Sequence, residues 1–150
     1  MLKEGIKAPE FSLIADDGKT YSLKDFKGKT VILYFYPKDN TSGCTAEACD
    51  FRDNIQIFNK KNVVIIGVSK DSIKSHKNFK EKYSLPFTLL SDENAEILEK
   101  YGVWKEKSMY GRKYMGIERS TFIIDENGKI KKIFRNVKVK GHIEELLNSI

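Results

Sequence analysis

The chain alternates between unbroken apolar runs and segments of mixed polarity, and the order of the two predicts its elements. Residues 30–36 (TVILYFY) and 63–69 (VVIIGVS) are almost wholly apolar and rich in β-branched and aromatic side chains, the pattern of strands buried on both faces. Between them, residues 42–60 mix polar and apolar positions behind Thr41 and Ser42, either of which can cap a helix running to about residue 60. Strand, helix and strand in succession imply a parallel pair. Further on, 71–83 reads as a helix, 87–91 as a strand, and 94–101 as a helix stopped by Gly102. Two hairpins are predicted, 11–14 with 20–22 around the turn DDGK, and 119–124 with 130–137 around DENGK. A closing helix covers about 141–147, and the basic stretch 104–116 (WKEKSMYGRKYMG) reads as a surface loop. Helices that alternate with buried strands, with a hairpin ending the sheet, make an α/β sandwich: a mixed central sheet flanked by helices.

Length and charge narrow the function classes. A chain of 150 residues fits one domain spanning 1–150. Its longest uncharged apolar run, 31–37, is far too short to cross a bilayer, and the start MLKEGIKAPEF carries no apolar signal core, so the expected location is the cytoplasm, with no membrane partner. The formal charge of +6 comes from lysines scattered among carboxylates along the whole chain. That is the pattern of a solvated surface, and no nucleic-acid partner is expected.

Both cysteines lie in one short stretch, YPKDNTSGCTAEAC, at positions 44 and 49. In a reducing compartment, paired cysteines point to redox catalysis or metal binding before a permanent staple. Cys44 falls in the first turn of a predicted helix, where free backbone N–H groups and the dipole favour an anion, so it is a candidate nucleophile. Read alone, Cys49 fits a small buried side chain as well as a redox partner. Zinc asks for about four ligands, whereas His76 and His142 sit in unrelated, exposed-looking helices and read as surface residues; no metal or cofactor is expected. A thiol–disulfide oxidoreductase typically spaces its cysteines as CxxC, one step tighter than the pattern here. A basic binding module with incidental cysteines is the other rival.

The segment 37–44, PKDNTSGC, matches the PxxxTxxC signature of the peroxiredoxins, and the resemblance runs through FTLLSD (87–92), YGVW (101–104) and IERSTFIID (117–125). The chain is similar to the bacterioferritin comigratory protein, or PrxQ, branch over nearly its full length. That resemblance implies a thioredoxin-like fold and an antioxidant peroxidase. Cys44 would form a sulfenic acid with hydrogen peroxide or organic hydroperoxides. Cys49 would resolve it as an intramolecular disulfide, recycled by thioredoxin or a similar dithiol donor. A monomer is implied. Arg119 would stabilise the thiolate and the leaving oxygen, Thr41 would turn its hydroxyl toward them, and Pro37 would shield the thiol from bulk solvent. Glu47, three residues after Cys44 on the same helix face, is placed to pair with Arg119. Ser42 departs from the branch, many of whose members have proline there.

Thiolate formation cannot account for such an enzyme. A thiol with a pKa near 8.5 is only about 3% ionised at pH 7, and lowering it to about 6 gains roughly thirtyfold in thiolate. A nucleophilicity slope of about 0.4–0.5 then removes most of that gain, leaving a factor of about two or three. The site must therefore stabilise the transition state, in which charge grows on the leaving oxygen.

Overall fold

The computed structural model describes residues 2–150. The opening hairpin forms as expected from β1 (Ser12–Ala15) and β2 (Thr20–Ser22), followed by a 3₁₀ turn at Leu23–Phe26. The apolar runs become β3 (Thr30–Phe35) and β4 (Val63–Ser69), which pair in parallel, Thr30 opposite Val63 and Phe35 opposite Val68. Then come α3 (Ile73–Tyr83), β5 (Thr88–Ser91) and the short α4 (Glu96–Lys100). Near the C-terminal end, β8 (Ser120–Ile124) and β9 (Ile130–Phe134) form the expected hairpin, and the chain closes with the helix His142–Leu147. One seven-stranded mixed sheet results, in the order β2-β1-β5-β4-β3-β8-β9.

Successive side chains of a strand point to opposite faces, and β3 shows what that builds. Val31, Leu33 and Phe35 enter one core with Leu98, Tyr101 and Phe122. Ile32, Tyr34 and the following Tyr36 enter the other, with Cys44, Ala48, Phe51, Phe58 and Phe79. The cysteine helix is therefore pressed on the face that carries the two tyrosines, and Tyr34 stacks on Phe51 with ring centroids 4.6 Å apart.

Three expectations need correction. The helix predicted over 42–60 is two helices, α1 (Ser42–Asp53) and α2 (Ile55–Lys60). Asn54 between them sits at φ −113, ψ 9, and its side-chain amide donates back to the Asp50 carbonyl at 2.8 Å. That local bond offers the backbone an alternative to continuing the helix. The basic stretch is no loop but a separate two-stranded ribbon, β6 (Trp104–Met109) with β7 (Arg112–Ile117). Its turn is Tyr110–Gly111, both at positive φ, and only the glycine advertises such a turn in sequence. Finally, His76 and His142 are buried. His76 shares the inward face of α3 with Phe79, three residues on, and His142 shares a face with Leu146, so packing by distant elements decides both. Among the described residues no helix is long and apolar enough to cross a membrane.

Candidate active site

The site forms where β3 ends. Tyr36 still donates its N–H to Val68, but Pro37 has none to give and the ladder stops. Asn40 then takes a left-handed turn at φ 64 and Thr41 is extended, which aims the chain into α1. Thr45 makes the first helical hydrogen bond, back to the Thr41 carbonyl at 2.9 Å, so the N–H groups of Ser42, Gly43 and Cys44 precede the helical ladder. Among the described residues no side chain caps them. Thr41 holds the capping position, yet its hydroxyl donates to the Lys38 carbonyl at 2.8 Å, so the expected side-chain cap is not made. The helix start thus keeps its positive end open toward Cys44.

Strand register delivers the cation. β8 runs antiparallel to β3 with Ser120 opposite Phe35, so Arg119, one residue earlier, lies beside the end of β3. Its guanidinium bridges two groups of α1: Nη1 donates to Glu47 Oε1 at 2.6 Å and Nη2 to Cys44 Sγ at 3.4 Å. Gly43 makes room for it, since a Cβ there would lie 3.1 Å from Arg119 Nη2. The expected pairing of Glu47 with Arg119 is therefore present. Glu47 is 2% exposed, and its second oxygen, like the Tyr34 hydroxyl, is buried without a hydrogen-bond partner among the described residues. Burial pushes the Glu47 carboxyl up to about 7, against the opposing pull of Arg119.

Cys44 itself is 1% exposed, more enclosed than a polar turn would suggest, while Cys49 is half-buried; both are free thiols. Pro37, Lys105, Lys107, Asn136 and Arg119 line an open hollow at this corner. A more enclosed hollow between Leu23, Phe26, Val31 and Ile124 lies at the far end of β3, away from both cysteines. Positions five apart in a helix have Cα atoms roughly 8.7 Å apart, whereas a disulfide needs about 7 Å or less. Since α1 is continuous through both cysteines, joining them requires at least one turn to open.

Asp39, which the sequence does not single out, and His76, expected at the surface, meet beside the same loop. Asp39, inside the signature, and His76 on α3 form a buried pair, Nδ1 to Oδ2 at 2.7 Å. The inward spacing of His76 with Phe79 was the available signal.

Comparison with known proteins agrees with this geometry. The AhpC/TSA family pattern matches residues 5–133. A relative from Coxiella burnetii is 54% identical over 149 residues, covering 99% of each chain. Peroxiredoxin Bcp of Bacillus subtilis is 53% identical over 146 residues, covering 97% of this chain and 93% of its own. The Xanthomonas campestris bacterioferritin comigratory protein, solved in a study of its alkyl peroxide reduction activity, superposes with a TM-score of 0.91 at 38% identity, covering 97% and 96% of the two chains. Matches of this length and identity set aside both rival readings: the chain belongs to the AhpC/TSA family, on its peroxiredoxin Bcp branch, and is a thiol peroxidase of thioredoxin-like fold.

Proposed function

We propose that the chain reduces hydrogen peroxide and organic hydroperoxides by a cycle run on Cys44 and Cys49. The Cys44 thiolate attacks one peroxide oxygen, so an S–O bond forms as the O–O bond breaks. The departing oxygen carries off the electron pair and takes a proton, leaving a sulfenic acid and water or an alcohol. The Cys49 thiol then attacks the oxidised sulfur and expels water, and the resulting disulfide is reduced by exchange with a dithiol donor such as thioredoxin.

The observation that carries this reading is the single guanidinium of Arg119, which touches both Cys44 Sγ and Glu47 beside an uncapped helix start. Fixed donors of this kind stabilise charge as it moves from sulfur to the leaving oxygen. In this reading Arg119 and the Cys44 N–H hold that oxygen, Glu47 aims Arg119, Thr41 fixes the turn and offers its hydroxyl oxygen, and Pro37 walls the thiol. The open hollow beside Arg119 and the alkyl peroxide activity of the Xanthomonas relative support organic substrates. The protein works as a single-domain monomer in the cytoplasm, in antioxidant defence. The test is stopped-flow mixing of reduced protein with hydrogen peroxide, followed by intact mass. Fast consumption of one equivalent, ending in an intramolecular disulfide, is expected; a slow reaction at the rate of a free thiol overturns the reading.

A further inference from the structure

Asp39 is 4% exposed, yet every polar atom it carries into the interior is engaged. Oδ1 accepts from the Tyr36 hydroxyl at 2.6 Å, and Oδ2 accepts from Ser75 Oγ at 2.8 Å and meets His76 Nδ1 at 2.7 Å. Its backbone N–H donates to Asp71 Oδ2 at 2.9 Å. His76 is fully buried, and its Nε2 lies 2.9 Å from the Leu90 carbonyl. A carbonyl only accepts, so Nε2 carries a proton. Nδ1 meets the Asp39 carboxyl, which also accepts from Tyr36 and Ser75, so His76 bridges Asp39 to β5. Asp39, Asp71 and His76 also bring ligand-type atoms within 4.8 Å of one another. These donors are occupied, though, since Asp71 Oδ2 takes the Ser69 hydroxyl at 2.6 Å in addition to the Asp39 N–H.

The position of this cluster matters more than its strength. Asp39 lies upstream of the left-handed turn at Asn40, and everything that must open to join the cysteines lies downstream of it. Upstream, Asp39 is tied to Ser75 and His76 of α3 and to Asp71 just past β4. Downstream, α1 is tied by its own helical bonds and by Arg119. We propose that the His76–Asp39 pair is a positioning device for the peroxide step: it holds the 37–41 loop in its reactive shape and stops the unwinding of α1 from running upstream of residue 40. This rests on the two-cysteine reading above. Its consequence is a split between steps. Oxidation of Cys44 needs the loop in place, whereas closure of the Cys44–Cys49 bond needs only the downstream helix to open.

His76→Gln tests the split. Oxidation of Cys44 by hydrogen peroxide should slow by about ten- to a hundredfold, as a misplaced loop would cause, while disulfide closure from the sulfenic acid keeps its rate or quickens. Should that variant not fold, Ser75→Ala removes one hydrogen bond to Asp39 at a less buried site, and the first step should slow by about two- to fivefold with closure unchanged. In the disulfide form, the amides of Tyr36 and Asp39 should stay protected from exchange while those of 45–50 do not. Equal slowing of both steps, an unchanged first step in a folded variant, or loss of protection at Tyr36 and Asp39 along with 45–50 overturns the proposal. If wild-type Cys44 shows no fast phase with peroxide at all, the two-cysteine reading fails first, and the experiment separates the two.

Discussion

Asp39, five residues before Cys44, and Glu47, three after it, are both buried carboxylates, but only the first is saturated. Asp39 takes three side-chain partners, Tyr36, Ser75 and His76. Glu47 has one charged partner, Arg119, and one oxygen with none. A fully satisfied buried network rigidifies its surroundings, and an incompletely satisfied one holds charge at a cost. The comparison teaches where the molecule can give way: the shoulder before the cysteine is fully bonded, and the one after it leaves a buried carboxylate oxygen without a partner.

The most severe way to break the comparison removes the group both shoulders serve. Cys44→Ser should abolish peroxide reduction, while Cys49→Ser should still consume about one equivalent of peroxide and then stop, because only resolution is lost. Reductant-dependent turnover by the Cys44→Ser protein would mean that the nucleophile lies elsewhere. Next in size is Arg119→Lys, which keeps charge but cannot reach Glu47 and Cys44 with one planar fork. Oxidation of Cys44 should slow by about a hundredfold, the scale of a lost transition-state donor. The thiolate fraction of the same variant must be measured alongside. A rate loss that merely tracks it removes Arg119 from the transition state.

Part of this arrangement was legible in sequence because it is written locally. The runs at 30–36 and 63–69 announce strands buried on both faces, since no other local structure needs so long an apolar stretch with so many β-branched residues. The spacing of Cys44 and Glu47 puts both on one face of a helix whichever fold surrounds it. Arg119 needed the family resemblance, because only the register of β8 on β3 brings it across the sheet. His76 was misread for the same reason. Lysines and Asn78 surround it in sequence, and its burial depends on Tyr36, Asp39 and Leu90, which arrive from other elements. The ribbon at 104–117 escaped because Tyr110 gives no hint of positive φ.

A third prediction sharpens the unsaturated side. Glu47 has its carboxyl raised to about 7 in the folded protein, chiefly by burial, against an ordinary unfolded value. The folded state therefore holds a proton that the unfolded chain releases, so stability should fall as pH rises from about 4.5 to about 7 and then level off. The fall is at most about 3 kcal/mol from this group. Glu47→Gln, neutral throughout and still able to accept from Arg119, should flatten that slope. Urea unfolding of both proteins at pH 5 and pH 8 reads it. An identical pH dependence in the variant shows that Glu47 is not the group responsible, and the contrast with Asp39 then loses its energetic side.

The smallest effect is also the cleanest test of where the molecule opens. Ala46 is exposed in the middle of the segment between the cysteines, so Ala46→Gly removes no buried contact and changes little besides helix propensity. Glycine costs a helix interior about 1 kcal/mol relative to alanine, equivalent to about a fivefold shift toward the opened segment at room temperature. Closure of the Cys44–Cys49 bond should quicken by up to that factor. The first step should hold its rate, because Asp39 and Arg119 still shape the reactive loop when the helix is formed. The same substitution placed outside the unwinding turn should leave closure unchanged, and Gly in place of Gln56 on the exposed side of α2 is the matched control. If Ala46→Gly and Gln56→Gly quicken closure alike, opening spreads beyond α1, and the division into a fixed and a yielding shoulder is wrong.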